Sequence, residues 1–411
     1  MSGGVLLLFA AQFLSGLADN ALLVVTIARL LELHEAAWLA PMLKLFFTVA
    51  YVVLAPFVAA LADRWPKGRV MLYSNLLKGL ACAGILCGID PLVAFALAGF
   101  GAACYSPAKY GLVTELVPAD ALVRANGVLE VTTVSAIILG TVLGGILASP
   151  GFTAWPILDA VDRAMPISTQ LGPGMLAVLA LYLLAGAVNL AMPQGVARTA
   201  HAPWQAIALV RRFVHANTTL WRDPLGGMSL AVTTVFWGAG ATLQFVVLAW
   251  ACSSLKLGLD QAAYLQGVVA AGITLGAAAA GRCVSLRHAP RVLPLGILMG
   301  LSVPLLLLVK TVALAIPLLA TVGALAGFFL VPMNALLQHR GLLLLHPGES
   351  IAVQNFNENL CVLAMLAAYS SLVASRWPLH ALVFAFGGLV AACVTWVMLR
   401  QRAADATVST P

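Results

Sequence analysis

Apolar residues run along this chain in blocks of about twenty, separated by short polar breaks. Crossing a bilayer core takes roughly 20 apolar residues in a helix. The blocks predict spanning helices over 5–31, 40–62, 70–88, 92–111, 125–148, 173–193, 228–252, 262–284, 292–310, 314–338, 350–374 and 379–399. The first run, from Val5 to Leu31, lacks a basic flank and is read as a retained first helix, not a cleaved signal. The tenth and eleventh spans are parted by a turn around His346-Pro347-Gly348. The long polar break from Gln194 to Gly227 divides the spans six and six. The expected organisation is a six-helix half over 1–193, a linker over 194–227, a second six-helix half over 228–400 and a tail over 401–411. Within the linker, an amphipathic segment from Trp204 to Trp221 is expected to lie along the inner membrane surface. A long outer loop, Ser149 to Gly172, carries prolines with Asp159 and Asp162.

Composition agrees with this pattern. Of 411 residues, 62% are hydrophobic and 9% charged, against about 25% charged in soluble domains. The expected class is an all-α integral membrane protein with no room for a soluble catalytic domain. The net charge of +7 comes from basic residues scattered singly between apolar runs. That distribution excludes a nucleic-acid patch and acts as an orientation signal. With the N-terminus inside, Arg29, Lys44, Arg163, Lys256, Lys310 and Arg376 fall outside, and the other 16 of the 22 Lys and Arg, Arg198, Lys78 and Lys109 among them, fall at or near the inside. Both termini are therefore expected to be cytoplasmic. None of the seven cysteines forms a C-x-x-C, so neither a metal site nor a required disulfide is expected.

Polar residues inside the apolar blocks carry the chemistry. A carboxylate at bilayer depth costs roughly 2.5–3.5 kcal/mol on the insertion scale and usually faces a bundle interior or a wet cavity. Gln12, Ser15, Asp19 and Thr26 recur near a 3.6 period and form one polar stripe on the first helix. No basic residue lies near Asp19 in sequence, so Asp19 is a candidate to bind a cationic group or a coupling ion. In the eleventh span Gln354, Asn355, Asn357, Glu358 and Asn359 cannot all face lipid. The adjacent pairs Asp19-Asn20 and Glu358-Asn359 could each grip an ammonium together with a phosphate or hydroxyl. Glu130, with Asn126 and Thr133 on its face, and Lys109 at the end of the fourth span could form a pair in the inner half of the membrane. Lys109 could instead meet a phosphate. Gln244 is a further polar residue at depth, with packing an equal explanation.

The two halves echo one another. Pro107 precedes a turn and Asn126-x-x-x-Glu130, while Pro332 precedes a turn and Gln354-x-x-x-Glu358. Internal repeats of this kind are common in transporters. Gly140-Thr141-Val142-Leu143-Gly144-Gly145 permits close helix packing. No G-x-x-x-x-G-K-[ST], H-E-x-x-H, G-x-S-x-G or H-x4-D is present, which argues against an ATPase and against familiar hydrolase or acyltransferase chemistry.

Two resemblances follow. The turn Ala59-Ala60-Leu61-Ala62-Asp63-Arg64-Trp65-Pro66-Lys67-Gly68-Arg69 resembles the cytoplasmic loop signature of the major facilitator superfamily, with Ala59 where that family usually has Gly and one extra residue before Gly68. The resemblance implies twelve transmembrane helices in two pseudo-symmetric halves. It also implies a conformational latch built on Asp63, Arg64 and Arg69. More specifically, Ala11-Gln12-Phe13-Leu14-Ser15-x-x-x-Asp19-Asn20-Ala21-Leu22-Leu23, Tyr105-Ser106-Pro107-Ala108-Lys109-Tyr110-Gly111, Ala125-Asn126-Gly127, Pro332-Met333-Asn334-Ala335-Leu336-Leu337-Gln338 and Ala352-Val353-Gln354-Asn355-x-x-Glu358-Asn359 together resemble the bacterial lysophospholipid transporters. This implies a flippase-type protein, not an enzyme, that moves lysophosphatidylethanolamine and lysophosphatidylglycerol from the outer to the inner leaflet of the inner membrane. It implies functional coupling to an acyl carrier protein-dependent acyltransferase, no cofactor and a monomer. The substrate site would hold Asp19, Asn20, Glu358, Asn359, Lys109, Glu130, Asn126, Gln354, Asn355 and Gln244. Some relatives are expected to carry Arg where Gln244 stands, which leaves more of the phosphate binding to Lys109 or amide donors. The rival readings are a proton-coupled exporter of amphiphilic drugs and a membrane-embedded acyltransferase.

Overall fold

The computed structural model describes residues 3–36, 39–149, 152, 169, 171–193, 195 and 205–408. Asp159, Asp162 and Arg163 of the outer loop, and Arg198 and Trp204 of the linker, lie outside the described residues.

Regular structure among the described residues is helical. The helices are α1 (Gly3–Glu32), α2 (Leu39–Val53), α3 (Ala55–Arg64), α4 (Lys67–Leu86), α5 (Pro91–Leu116), α6 (Leu122–Leu147), α7 (Gly172–Ala191), α8 (Ala206–Arg222), α9 (Pro224–Ser254), α10 (Leu259–Cys283), α11 (Leu293–Ser302), α12 (Val312–Leu344), α13 (Pro347–Ala374) and α14 (Leu379–Val408). In hydrocarbon, helices satisfy every backbone group within the segment, which is why apolar blocks of this length take that form. Among the described residues, ten helical segments are long and apolar enough to cross a membrane, or eleven if a bent pair counts as one span. The bent pair is α2 with α3, which turn by 65°. Pro56 stands in the first turn of α3, where its ring blocks continuation of the preceding helix. The expected third span is α4, a 20-residue helix whose apolar run is broken by Arg69, Asn75 and Lys78; it falls outside the set that crosses on apolarity alone.

The chain divides into two compact units. Unit 1 is Met1–Leu116, Ser135–Phe213 and His346–Val353; unit 2 is Val117–Val134, Val214–Leu345 and Gln354–Pro411. The core of unit 1 buries Ala18 and Leu22 of α1, Cys82 and Ile85 of α4, Phe95 of α5, and Met175 and Tyr182 of α7. Unit 2 has two apolar clusters. One holds Met228, Phe329 and Val394; the other holds Trp250, Leu319 and Phe386.

Small residues set the closest helix approaches. In unit 2, Gly272 and Gly276 of α10 face α12 so tightly that an added Cβ would collide with the carbonyls of Ala320 and Ala324. Gly323 and Gly327 of α12 stand in the same relation to Val269 and Ile273 of α10. Such interlocked small-xxx-small pairs let backbones approach where lipid supplies no hydrophobic drive. In unit 1, Gly140 of α6 lies against α1, where a Cβ would come 2.6 Å from the Leu17 carbonyl. The glycine run of the fifth span thus serves the packing expected of it.

Candidate functional site: a charged cavity in unit 1 and an amide ladder in unit 2

Asp19 is not alone. Lys78, on α4, reaches its Oδ2 at 2.8 Å. The Tyr182 hydroxyl donates to Oδ1 at 2.8 Å. Lys78 also donates to Ser15 Oγ at 3.0 Å, and Ser15 in turn donates to Asn75 Oδ1 at 2.7 Å. The Lys78 side chain is 1% exposed and that of Asp19 21% exposed. The ammonium lies 5.0 Å from the Tyr105 ring centre and 5.8 Å from that of Tyr182. Burying a lysine this deeply is costly unless an opposite charge and hydrogen bonds accompany it; α1 supplies both, through Asp19 and Ser15. Lys78 therefore sits well inside α4 as the partner of Asp19, not near a cytoplasmic end as the charge pattern placed it.

This cluster borders a cavity of about 110 Å³ lined by Gln12, Ser15, Gly16, Asp19, Tyr51, Lys78, Ala102, Tyr105, Ser106 and Lys109. Three members of the expected polar stripe, Gln12, Ser15 and Asp19, line it; Thr26 is fully buried elsewhere on α1. Lys109 also lines it, with its ammonium 4.2 Å from the Tyr110 ring centre. Asn20 is not among the lining residues. Its amide donates to Gly16 O at 2.8 Å, and its Cβ lies against Gly140.

Unit 2 joins the two repeat motifs through one helix. Asn126 of α6 and Gln338 of α12 exchange hydrogen bonds at 2.9 and 2.7 Å. One turn along α12, Asn334 accepts from Gln354 of α13 at 2.9 Å, and Gln354 also donates to Glu358 at 2.8 Å. The Pro332–Gln338 motif thus presents an amide every four residues, matched by one amide from each repeat. Glu358 and Glu130 are both buried in this unit, at 8% and 7% exposed. Asn357 donates to Asn217 of α8 at 2.8 Å and accepts from Trp221 at 3.1 Å. Asn359 donates to Asn355 O at 2.8 Å, the same self-capping as Asn20. The polar run of α13 is therefore shared among several neighbours. Gln244 is exposed, and its carbonyl accepts from Gln266 at 3.0 Å. Lys109 belongs to unit 1 and Glu130 to unit 2.

Asp63 caps α13. It is 1% exposed, and its carboxylate accepts from the backbone N–H groups of Gly348 at 2.9 Å and Glu349 at 3.2 Å. A carboxylate there meets both the unsatisfied amides and the positive end of the helix dipole. Gly348 is required, because a Cβ would lie 2.8 Å from the Asp63 carboxyl carbon. Glu349 pairs with Arg212 of α8, and fully buried Lys67 pairs with Glu115 at 2.7 Å. Of the other two expected latch residues, Arg64 is half-buried and Arg69 exposed.

Sequence reading missed Lys78 and Tyr182 as partners of Asp19, and also Lys67–Glu115, Glu349 and the Asp223–Arg340 pair. A lysine interrupting a span, as Lys78 does in α4, was the available signal. Its partner lay 59 residues away.

Long apolar helices with charged residues buried among them, in each of two units, are what a secondary transporter is built from, and the comparisons agree. Residues 8–341 match the family model of the Major Facilitator Superfamily. Among solved structures, the fucose transporter FucP in its outward conformation superposes with a TM-score of 0.71 at 15% identity, covering 97% of each chain. A bacterial homologue of the iron transporter ferroportin gives 0.70 at 14% identity, covering 98% of this chain and all of that one. The chain belongs to the major facilitator superfamily. Its curated relatives narrow this further. The lysophospholipid transporter LplT of Enterobacter sp. (strain 638) is 41% identical over 98% of this chain and 97% of its own. That of Citrobacter koseri is 41% identical over 98% and 96%. The chain is a member of the lysophospholipid transporter family.

Proposed function

We propose that this protein moves lysophospholipids, lysophosphatidylethanolamine and lysophosphatidylglycerol foremost, from the outer to the inner leaflet of a bacterial inner membrane by alternating access. There an acyl carrier protein-dependent acyltransferase would restore the missing chain. Both termini are taken as cytoplasmic and the working form as a monomer. The observation that carries the reading is the 41% identity to named lysophospholipid transporters over 98% of the chain. The charged cavity of unit 1 supports it, because a head group bearing a phosphate needs buried cations and hydroxyls, and lipid supplies neither. Asp63 on the end of α13 is the candidate latch.

The test is reconstitution. Full-length protein in proteoliposomes, given lysophosphatidylethanolamine with a fluorescent acyl chain, should move the label to a leaflet protected from a membrane-impermeant quencher. Protein-free vesicles should not. Movement no faster than in protein-free vesicles would refute the reading.

A further inference from the structure

We infer that the cavity of unit 1 is an oxyanion subsite, in which the Lys78 ammonium and the Tyr105 hydroxyl hold the phosphodiester of the lysophospholipid head group, while Asp19 acts as a positioning residue behind Lys78. The inference rests on the lysophospholipid reading above.

Hydrogen-bond bookkeeping carries it. An ammonium has three donors. Lys78 gives one to Asp19 and one to Ser15; its third meets no protein acceptor among the described residues, and Lys78 lines the cavity. The Tyr105 hydroxyl, on a side chain 4% exposed, also completes no hydrogen bond. Ser15 beside it gives its one proton to Asn75 and accepts from Lys78, and no hydrogen bond between it and the Tyr105 hydroxyl is completed. Two buried donors without acceptors thus border one small cavity. Leaving such a donor unsatisfied costs about 1–3 kcal/mol, more for a charged group, so the site is built to receive an acceptor.

The placement of the Lys78 ammonium favours an anion over a cation. The lining holds one carboxylate, Asp19, and two ammonium groups, Lys78 and Lys109. Both oxygens of Asp19 already accept, from Lys78 and from Tyr182. A substrate ammonium entering here would face the Lys78 ammonium and a carboxylate that Lys78 already neutralises. A phosphodiester brings one negative charge and several acceptor oxygens, which the free donors match. The cavity is too small for an acyl chain as well, so it holds the anionic end alone. Asp19 thereby changes role: it holds the Lys78 ammonium in place instead of binding a cationic group itself.

Binding to the full-length protein in detergent micelles, followed by tryptophan fluorescence, separates the possibilities. The ligands are lysophosphatidylethanolamine, a monoacylglycerol of the same chain length that lacks phosphate, and inorganic phosphate. The native protein should prefer the phosphate-bearing lipid. Tyr105→Phe should cut that preference roughly tenfold, the value of one hydrogen bond to a charged group, while leaving monoacylglycerol binding unchanged. Lys78→Met alone strands Asp19 and could misfold. The double variant Asp19→Asn/Lys78→Met removes both charges together, which folded proteins tolerate, and it should abolish the preference. Asp19→Asn, with Lys78 retained, should keep at least part of the preference. Wild-type preference in both Tyr105→Phe and the double variant would overturn the subsite. Tight binding of inorganic phosphate with no discrimination between the lipids would overturn the head-group assignment in favour of free phosphate. A native protein that prefers the phosphate-bearing lipid in micelles but fails to move it in proteoliposomes would sink the transport reading and leave the subsite standing.

Discussion

Lys78 and Asp19 each make sense only in the presence of the other. A buried ion pair adds little net stability, but removing one partner strands a charge and costs about 3–5 kcal/mol. Asp19 keeps 21% of its side chain exposed, so Lys78→Met should fall at the low end of that range. The Asp19→Asn/Lys78→Met double variant should recover most of the loss. Thermal melts of the detergent-solubilised variants measure both. Equal destabilisation by the single and double variants would mean that the two charges do not stabilise each other. The sequence made Asp19 conspicuous, since an acid amid apolar residues is visible at once. It hid the partner, because a lysine at position 78 is remote along the chain and is brought close only by the packing of α1 and α4 on α7. The same limit applies to the adjacent pairs Asp19-Asn20 and Glu358-Asn359. Neighbouring helical residues point about 100° apart, so Asn20 and Asn359 turn to their own helix carbonyls, while Asp19 meets α4 and α7 and Glu358 accepts from Gln354.

Helix ends carry the next set of consequences. Asp223 caps α9, accepting from Gly226 N at 2.7 Å and from Arg340 at 2.9 and 2.5 Å. Burial pushes its carboxyl up, but the Arg340 hydrogen bond, the Gly226 N–H and the Arg340 charge outweigh burial and hold it below the ordinary 3.8. A carboxylate depressed on folding stabilises the protein above its unfolded value, and that contribution is lost as pH falls through the lower folded value. Asp223→Asn should therefore lower the melting temperature at neutral pH and flatten its fall on acidification below about pH 5. Unchanged acid sensitivity in the variant would contradict this. At the other cap, Gly348→Ala places a methyl against the Asp63 carboxyl and should cost about 1–2 kcal/mol, the usual value of a cap, with slower lipid movement as the second readout. At the α10–α12 crossing, Gly276→Ala should destabilise more than Gly240→Ala, since a Cβ on Gly240 meets nothing within 4 Å. Comparative melts of the two variants settle that ranking. The sequence showed where these helices begin and end. It could not show that the end of α3 caps the start of α13, because their residues lie far apart along the chain.

For the molecule as a whole, orientation is the open physical question, and the cysteines can report it. Cys87, at the end of α4, and Cys283, at the end of α10, are both exposed. With the N-terminus inside, the first faces outward and the second inward. In single-cysteine variants, a membrane-impermeant maleimide added to intact cells should label Cys87 and spare Cys283; inside-out vesicles should reverse the pattern. Labelling of Cys283 in intact cells would invert the topology.

The sequence by itself determined the class of the molecule, the position of ten of its spans, the repeat of amide and acid, and the family. Each depends on local composition, periodicity or an ordered string of residues. Hydrophobic length dictates helices wherever water is absent to satisfy the backbone. Only the tertiary structure decided which polar residues act together. It assigned Lys78 to Asp19, gathered Asn126 and Gln354 onto α12, and turned Asn20 away from the cavity. The reason is energetic: a buried charge or amide takes the partner that best offsets its desolvation, and helix packing, not sequence distance, determines which partners come within reach.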